Sequence, residues 1–173
     1  EALKDVTTES NLTAIGYQAA ANNTTGSGTV AIGHQALTAN TTGEYQTAVG
    51  YKALASTEAS VSNSAFGYES MYSTTSGNYS TAAGYQSLYS NTTQHGNSAF
   101  GYQAGKLWTS ASYSTAIGYQ AGSGGQGGAH NTAVGNASMV QIDGAGGGGN
   151  FNVAVGSDSM YGSSSAHSNV AIG

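Results

Sequence analysis

The chain lacks several residue types that most soluble domains use, and each absence narrows its function. It contains no cysteine and no proline, and its only basic side chains are three lysines. Without cysteine it has no disulfide framework, no thiolate metal site and no cysteine nucleophile. Nucleic-acid binding needs a surface rich in lysine and arginine that displaces counterions, so no nucleic-acid partner is expected.

Long hydrophobic runs are also missing, and charge is scarce. No apolar stretch approaches the length that crosses a bilayer, so no membrane insertion is expected. Charged residues make up only 6% of the chain, whereas glycine occurs 27 times and tyrosine 12 times. Disordered chains usually carry high net charge and few aromatic residues, so regularly placed tyrosines favour a repetitive fold.

A four-residue motif, in which Thr, Ser or Val is followed by Ala, an apolar residue and Gly, recurs ten times. Successive glycines are 17 residues apart in eight of nine intervals, and the remaining interval is 21 residues. Its four extra residues fall in a glycine-rich insertion at 144–149, which predicts a surface loop. Residues 11–173 therefore form a repeat array, and residues 1–10 are predicted to be an N-terminal cap or junction. The glycine column consists of Gly16, Gly33, Gly50, Gly67, Gly84, Gly101, Gly118, Gly135, Gly156 and Gly173.

Two columns precede the glycine in every unit. The residue two places before it is always alanine, which predicts a position where two backbones approach closely. The residue directly before it is always apolar, and its β-branched content predicts the interior of a stacked strand. The alanine column is Ala14, Ala31, Ala48, Ala65, Ala82, Ala99, Ala116, Ala133, Ala154 and Ala171. The apolar column is Ile15, Ile32, Val49, Phe66, Ala83, Phe100, Ile117, Val134, Val155 and Ile172.

Seventeen residues are too few for a helix-pair repeat, and each motif alternates as a strand does. The sequence therefore predicts an all-β repeat solenoid, a parallel β-roll or β-helix of about ten 17-residue coils. Nine strand steps of roughly 4.8 Å give a rod of ~43 Å. One coil offers few dependable apolar positions to offset its ordering cost, so the alanine column is expected to pack against neighbouring chains.

The units NTAVG, NSAFGYQAG and STAIGYQAG, with the linking TTG, resemble shaft repeats of phage tail fibres and related bacterial adhesive trimers. They are also similar to the SVAIG-type repeats of trimeric autotransporter adhesin heads, which form left-handed parallel β-rolls. The resemblance covers about residues 11–173. It implies a homotrimer, an extracellular location on a virion tail fibre or a bacterial cell surface, and attachment to a receptor or host surface.

The residue after the glycine is tyrosine in six units, and His34 lies in the same column. If this column faces water, it forms a ladder of aromatic faces that could stack on sugars. If it faces a neighbouring coil or chain, it is ordinary packing. Both interpretations stay open at this point. The possible glycan contacts are Tyr17, Tyr51, Tyr68, Tyr85, Tyr102 and Tyr119.

No pattern of catalytic, cofactor-binding or metal-ligating residues emerges from the sequence. The histidines form neither HxH nor HExxH, and the acids do not recur with a Ser or His partner. The glycine-rich insertion lacks the Lys-Ser/Thr of a phosphate-binding loop. No enzyme activity, cofactor or metal is therefore predicted. The scattered histidines and acids are His34, His95, His130, His167, Glu44, Glu58, Glu69, Asp143 and Asp158.

Three functions remain as hypotheses. The first is the structural shaft or head of an extracellular trimeric attachment fibre. The second is a glycan-binding module that uses the tyrosine column. The third is an ice-binding solenoid, suggested by low charge and abundant Thr, Ser and Ala, although Glu58 and Ala59 interrupt the column of Thr24 and Thr25.

Overall fold

The structure, a computed structural model, describes residues 1–5, 7, 11–124, 128–140, 149–162 and 167–173. These ranges contain ten three-residue strands, one for each repeat motif, and no helix. The strands are β1 (Thr13–Ile15), β2 (Val30–Ile32), β3 (Thr47–Val49), β4 (Ser64–Phe66), β5 (Thr81–Ala83), β6 (Ser98–Phe100), β7 (Thr115–Ile117), β8 (Thr132–Val134), β9 (Val153–Val155) and β10 (Val170–Ile172).

All ten strands lie in one parallel sheet in chain order, β1 to β10. Each strand pairs with its equivalent in the next coil, so alanine lies opposite alanine, as Ala14 does with Ala31. Ala83 lies between Phe66 and Phe100 in the stack, as the repeat alignment requires. The predicted all-β parallel solenoid with a repeat of about 17 residues is confirmed.

The array keeps its register across the longer unit. Thr132 of β8 pairs with Val153 of β9, and the amide of Met139 donates to the carbonyl of Ser159 at 2.9 Å. The predicted loop at 144–149 lies outside the described residues except for Gly149. That residue is buried, and its carbonyl accepts a 2.7 Å hydrogen bond from the side chain of Asn131.

The described part of segment 1–10 stacks on the first coil. The amide of Leu3 donates to Ala19 at 3.1 Å, and Leu3 packs against the core. One coil later the amide of Ala20 donates to Ala36 at 2.9 Å in the same way. The segment therefore covers one end of the array in the repeat's own register.

The alanine column and the apolar column face opposite sides of the sheet. The alanine column faces the coil interior and the apolar column faces outward, which is the reverse of the prediction. Every alanine from Ala31 to Ala154 in the alanine column is fully buried within its own chain, so the expected packing against neighbouring chains is wrong. The apolar column points outward, with Ile15 60% exposed and Phe66 43% exposed. Successive residues of a strand face opposite sides, and the narrow coil interior at this point accepts only a methyl group.

The glycine column is required by close approach between coils. Its members from Gly16 to Gly156 have φ between 125° and 142°, a region that L side chains rarely adopt. A Cβ added to Gly67 would lie 2.6 Å from the carbonyl oxygen of Gly84. No side chain fits there without separating the coils.

Each coil also turns through three positions with φ near 50–60° that are mostly not glycine. Left-handed backbone costs an L-residue roughly 1–2 kcal/mol, so packing must hold these turns. They lie two, four and twelve residues after the glycine, as at Gln35, Leu37 and Tyr45.

The interior opposite the sheet contains a leucine column and an inner polar column. The leucine column lies four residues after the glycine, and its members Leu37, Leu54, Met71 and Leu88 are fully buried. In the inner polar column, side-chain oxygens accept backbone amides of the next coil: Asn63 Oδ1 accepts from Ser80 at 2.9 Å, and Ser80 Oγ accepts from Asn97 at 3.1 Å. The side chain of Asn97 also donates to the carbonyl of Ala111 at 2.7 Å. Buried backbone groups are thereby satisfied where no strand forms.

One irregularity in the leucine column is compensated locally. Gly105 and Gly122 replace the large apolar residue, and Trp108 fills the space from a neighbouring position. A Cβ added to Gly105 would lie 3.0 Å from the Trp108 ring, and one added to Gly122 would lie 2.5 Å from it. Trp108 is 3% exposed and is thus part of the core.

Candidate functional site

The outward side of the sheet, which we call the outer strand face, consists of the apolar column and the Thr, Ser and Val residues two places before it. Phe100 and Ile117 are each 43% exposed, and Val155 is 37% exposed. Neither column contains a charged residue. Because the strands stack in register, the side chains of the apolar column form an apolar strip that runs the length of the rod, flanked by the column of Thr, Ser and Val. Extended apolar patches of this kind mark interaction surfaces.

The six tyrosines predicted as possible glycan contacts form one continuous stack together with His34, which we call the tyrosine ladder. Neighbouring ring centroids are 4.9–5.3 Å apart, and the ring planes are inclined by 7–26°. Each inner ring therefore has a neighbouring ring against both faces. What reaches solvent is the ring edges and the hydroxyl groups, because a gap of this size does not admit a sugar. The tyrosine rings therefore pack against one another between coils. Glycan contact stays a prediction, and it would use the ring edges and hydroxyl groups of the tyrosines.

A second ladder, the amide ladder, runs beside the tyrosine ladder. The side chain of Gln35 donates to Gln18 at 2.9 Å, and Gln120 donates to Gln103 at 3.1 Å. The same pattern includes a carboxylate, since Gln86 Nε2 donates to Glu69 Oε2 at 2.9 Å. The amide ladder consists of Gln18, Gln35, Lys52, Glu69, Gln86, Gln103 and Gln120.

Near the middle of the rod a second pair of tyrosines lies on the other side of the amide ladder. Tyr72 and Tyr89 stack with ring centroids 5.3 Å apart and planes inclined by 8°. Lys52 Nζ lies 5.3 Å from the ring centroid of Tyr51 and 6.0 Å from that of Tyr72, so it bridges the two groups of rings. We call Lys52, Tyr68, Glu69, Tyr72, Tyr85 and Tyr89 the central aromatic patch.

Desolvation, and after it the charge of Glu69, raises the pKa of two phenols in this patch. Partial desolvation by the neighbouring rings raises the pKa of Tyr68, and the charge and hydrogen bond of Glu69 raise it further. The pKa of Tyr89 is raised by desolvation first and then by the Glu69 carboxylate. A hydrogen bond to Tyr51 is the largest cause that raises the pKa of Lys52. Glu69 therefore sits among hydroxyl groups on both sides of the amide ladder.

A second exposed aromatic column lies on the other side of the outer strand face. Tyr45, Tyr79 and Tyr113 are each at least 60% exposed and occupy the left-handed turn twelve residues after the glycine. Tyr113, His130 and Phe151 continue as a stack with centroid separations of 5.4 and 4.9 Å. The repeat analysis missed this column because its residue types vary between coils.

The remaining histidines have structural positions. His95 Nδ1 accepts the backbone amide of Asn78 at 3.0 Å, and His167 Nδ1 accepts that of Asn150 at 3.2 Å. Within the described ranges, no group of three His, Cys, Asp or Glu residues could hold a metal ion. The same part of the chain contains no helix long and apolar enough to cross a membrane. Asp143 lies outside the described residues.

Comparison of the chain with protein-family models, with curated proteins and with solved structures gives no match. The two candidate functional surfaces are the outer strand face and the central aromatic patch.

Proposed function

We propose that this chain forms the structural shaft or head of an extracellular homotrimeric attachment fibre, on a virion tail or a bacterial cell surface, that presents or provides receptor binding. The observation that supports this proposal is the exposed apolar strip of the outer strand face. Trimer number, location and attachment come from the resemblance of the repeats to fibre shafts and adhesin heads.

A second copy of this chain is the partner that best fits the strip. Its apolar side chains recur once per coil, and only a rod with the same repeat places an equivalent side chain beside every one of them. Full burial of an exposed Ile or Phe side chain contributes roughly 1.5–3 kcal/mol, and these side chains are already about half-buried, so each contributes roughly half of that on association. Association costs an estimated 4–15 kcal/mol, so several rows of contact are enough to hold the copies together.

The arrangement of the copies follows from the length of the strip. A cyclic arrangement about the rod axis keeps all chains parallel and brings every row of the strip against its equivalents.

The outer strand face argues against ice binding. That function needs a flat and regular array of small side chains, whereas Phe66, Ala83 and Phe100 give this strip an uneven height. A thermal-hysteresis measurement is expected to show no activity.

The test is the molecular mass in solution, measured by light scattering and by sedimentation equilibrium. We expect three times the mass of one chain for the wild-type protein. The double variant Phe100→Asp, Ile117→Asp is expected to be monomeric with an unchanged circular dichroism spectrum, because both side chains point outward. Leu107→Asp, at an apolar position of similar exposure (45%) outside the strip, is the matched control and should remain trimeric.

A folded wild-type monomer would contradict the proposal. A double variant that remains fully associated would instead show that another face holds the chains together.

A further inference from the structure

We propose that the central aromatic patch binds a neutral, extended β-linked glycan that lies along the rod axis. This inference does not rest on the trimeric shaft, since the patch is complete within one chain. It uses Tyr68 and Tyr85 of the tyrosine ladder as one wall and adds a second wall, Tyr72 and Tyr89. Lys52, Glu69 and Gln86 of the amide ladder form a polar floor between the two walls.

The second wall is a local departure from the repeat. Five residues after the glycine, other coils carry the smaller residues Ala21, Thr38, Ala55, Ser123 and Val140, and one carries Lys106, whose Nζ lies 5.9 Å from the ring centroid of Tyr89. Only at Tyr72 and Tyr89, among the described coils, does a tyrosine at this position face a tyrosine of the ladder. Tyr161 shares the position, but its coil has Ser157 where the ladder has tyrosine. Packing demands do not explain the change, because the smaller residues serve the same fold elsewhere.

The floor between the walls keeps unused hydrogen-bonding capacity. Gln86 donates one N–H to Glu69 and accepts from Gln103 at 3.1 Å, so its second N–H and one lone pair remain for a ligand. Glu69 adds carboxylate lone pairs, and the tyrosine edges add hydroxyl groups. Amides, a carboxylate and phenols beside aromatic edges are donors and acceptors suited to sugar hydroxyls.

The charge and spacing of the patch specify the ligand class. The patch carries charges of both signs, with Lys52 beside Tyr72, Lys106 beside Tyr89 and the Glu69 carboxylate hydrogen-bonded to Gln86, so it favours a ligand without a strong charge of either sign. The ring centroids of the patch are 5.1 Å apart in the pair Tyr68 and Tyr85 and 5.3 Å apart in the pair Tyr72 and Tyr89. In extended β-1,4-linked glycans one sugar advances by nearly the same distance, so successive sugars meet equivalent groups. A helical α-linked chain does not match this row.

The experiment is titration calorimetry of the full chain with cellohexaose and chitohexaose, with maltohexaose as the α-linked comparison. We expect saturable binding of at least one β-linked hexasaccharide and at least tenfold weaker binding of maltohexaose. The double variant Tyr72→Ala, Tyr89→Ala is expected to lose at least tenfold in affinity. Tyr79→Ala, Tyr113→Ala removes two tyrosines of the other exposed column and should bind as the wild type does.

Circular dichroism and solution mass, measured on every variant, separate a lost site from a lost fold. If the alanine variant does not fold, Glu69→Gln with Tyr72→Phe and Tyr89→Phe keeps the packing and removes the carboxylate charge and two hydroxyl groups. It is expected to weaken binding several-fold. Absence of saturable β-glycan binding by the wild type, or equal losses in patch and control variants, would overturn the inference. A trimer that does not bind would leave the proposed shaft function intact.

Discussion

At the scale of the residue, neighbouring positions of one strand differ in what they tolerate. Ala99 is fully buried with an equivalent alanine on both sides, whereas Ser98 points outward in a column that also contains Val30 and Val153. The two positions share a backbone and differ only in the face they present.

Substitution of Ala99 by leucine is expected to lower the free energy of unfolding by about 1–3 kcal/mol or more, because overpacking a tight core forces the coils apart. Ser98→Val is the control and should change stability by less than about 0.5 kcal/mol. Denaturant unfolding followed by circular dichroism measures both. Equal losses would mean that the alanine column is not a tight interior.

A second residue-scale prediction concerns the left-handed turns. Ser62 has φ of 56° in a column that contains Gly28 and Gly96. Ser62→Gly is expected to raise the free energy of unfolding by roughly 0.5–1 kcal/mol, because glycine adopts this conformation without steric cost. Ser73→Gly, at a position outside these turns, should be destabilising by a similar amount. A loss of stability in Ser62→Gly would show that its side chain contributes more than its backbone costs.

The sequence predicts the period of these residues but not which side of the strand is buried. Alternation places Thr13 and Ile15 on one face and Ala14 on the other, and hydrophobicity alone favours burying Ile15. The opposite result follows from the walls across the coil, where the leucine column and the inner polar column come so close that only alanine fits. The inner polar column could not be identified beforehand, because Gln46, Asn63 and Ser80 are residue types that also occur in turns.

At the scale of the coil, Trp108 shows how one unit departs from the pattern without losing register. Its ring occupies the space that a large side chain at position 105 would otherwise fill. Trp108 and Gly105 therefore compensate each other, and a substitution at one position is expected to require a substitution at the other.

Gly105→Leu alone should be strongly destabilising, because its side chain would overlap the Trp108 ring. Trp108→Asn alone should cost about 3–5 kcal/mol through the cavity it leaves. The double variant restores the pattern of the coil at Leu88 and Asn91, and is expected to be more stable than the sum of the single effects by at least about 1 kcal/mol. Additive losses in denaturant unfolding would contradict the compensation.

The ladder of phenols predicts how the protein responds to alkali. The pKa values of Tyr68 and Tyr89 are raised above the ordinary value of 10.0, so the folded state retains these protons longer than the unfolded chain does. The resulting stability is present below pH 10 and is lost as the pH rises through the folded-state pKa values. Glu69→Gln removes a cause of both shifts.

We therefore expect tyrosinate absorbance to appear at lower pH in Glu69→Gln than in the wild type. Glu58→Gln, an exposed acid in a different column, is the matched control. An unchanged titration in Glu69→Gln would show that the carboxylate does not act on the ladder.

Part of the candidate site was predictable at this scale. The six tyrosines were identified from the period, since a fixed residue in a 17-residue coil must stack on itself. Their face-to-face contact, and the second wall formed by Tyr72 and Tyr89, depend on side-chain direction and on a turn shape that the period does not specify.

At the scale of the whole molecule, the rod behaves as a one-dimensional array in which each coil contacts only its neighbours. Removal of residues 68–84 takes out one complete period and keeps every column aligned. We expect this variant to fold with the wild-type circular dichroism signature and a modest loss of stability. Removal of residues 68–83 shifts all later columns by one position and is expected to prevent cooperative folding of the shortened array. Similar spectra and melting curves for the two deletions would contradict a strict register.

The stacking of coils in chain order also decides how the protein responds to tension. Neighbouring coils are joined by backbone hydrogen bonds that run along the rod, so a pull on the two chain ends acts on these bonds directly and in succession. The terminal coil unfolds first, while the remaining coils keep their hydrogen bonds to one another. Each coil of 17 residues releases roughly 56–61 Å of extended chain. A single rod therefore lengthens under load in equal steps, except for a longer step at the 21-residue unit, and dissipates energy at each one instead of failing at a single point.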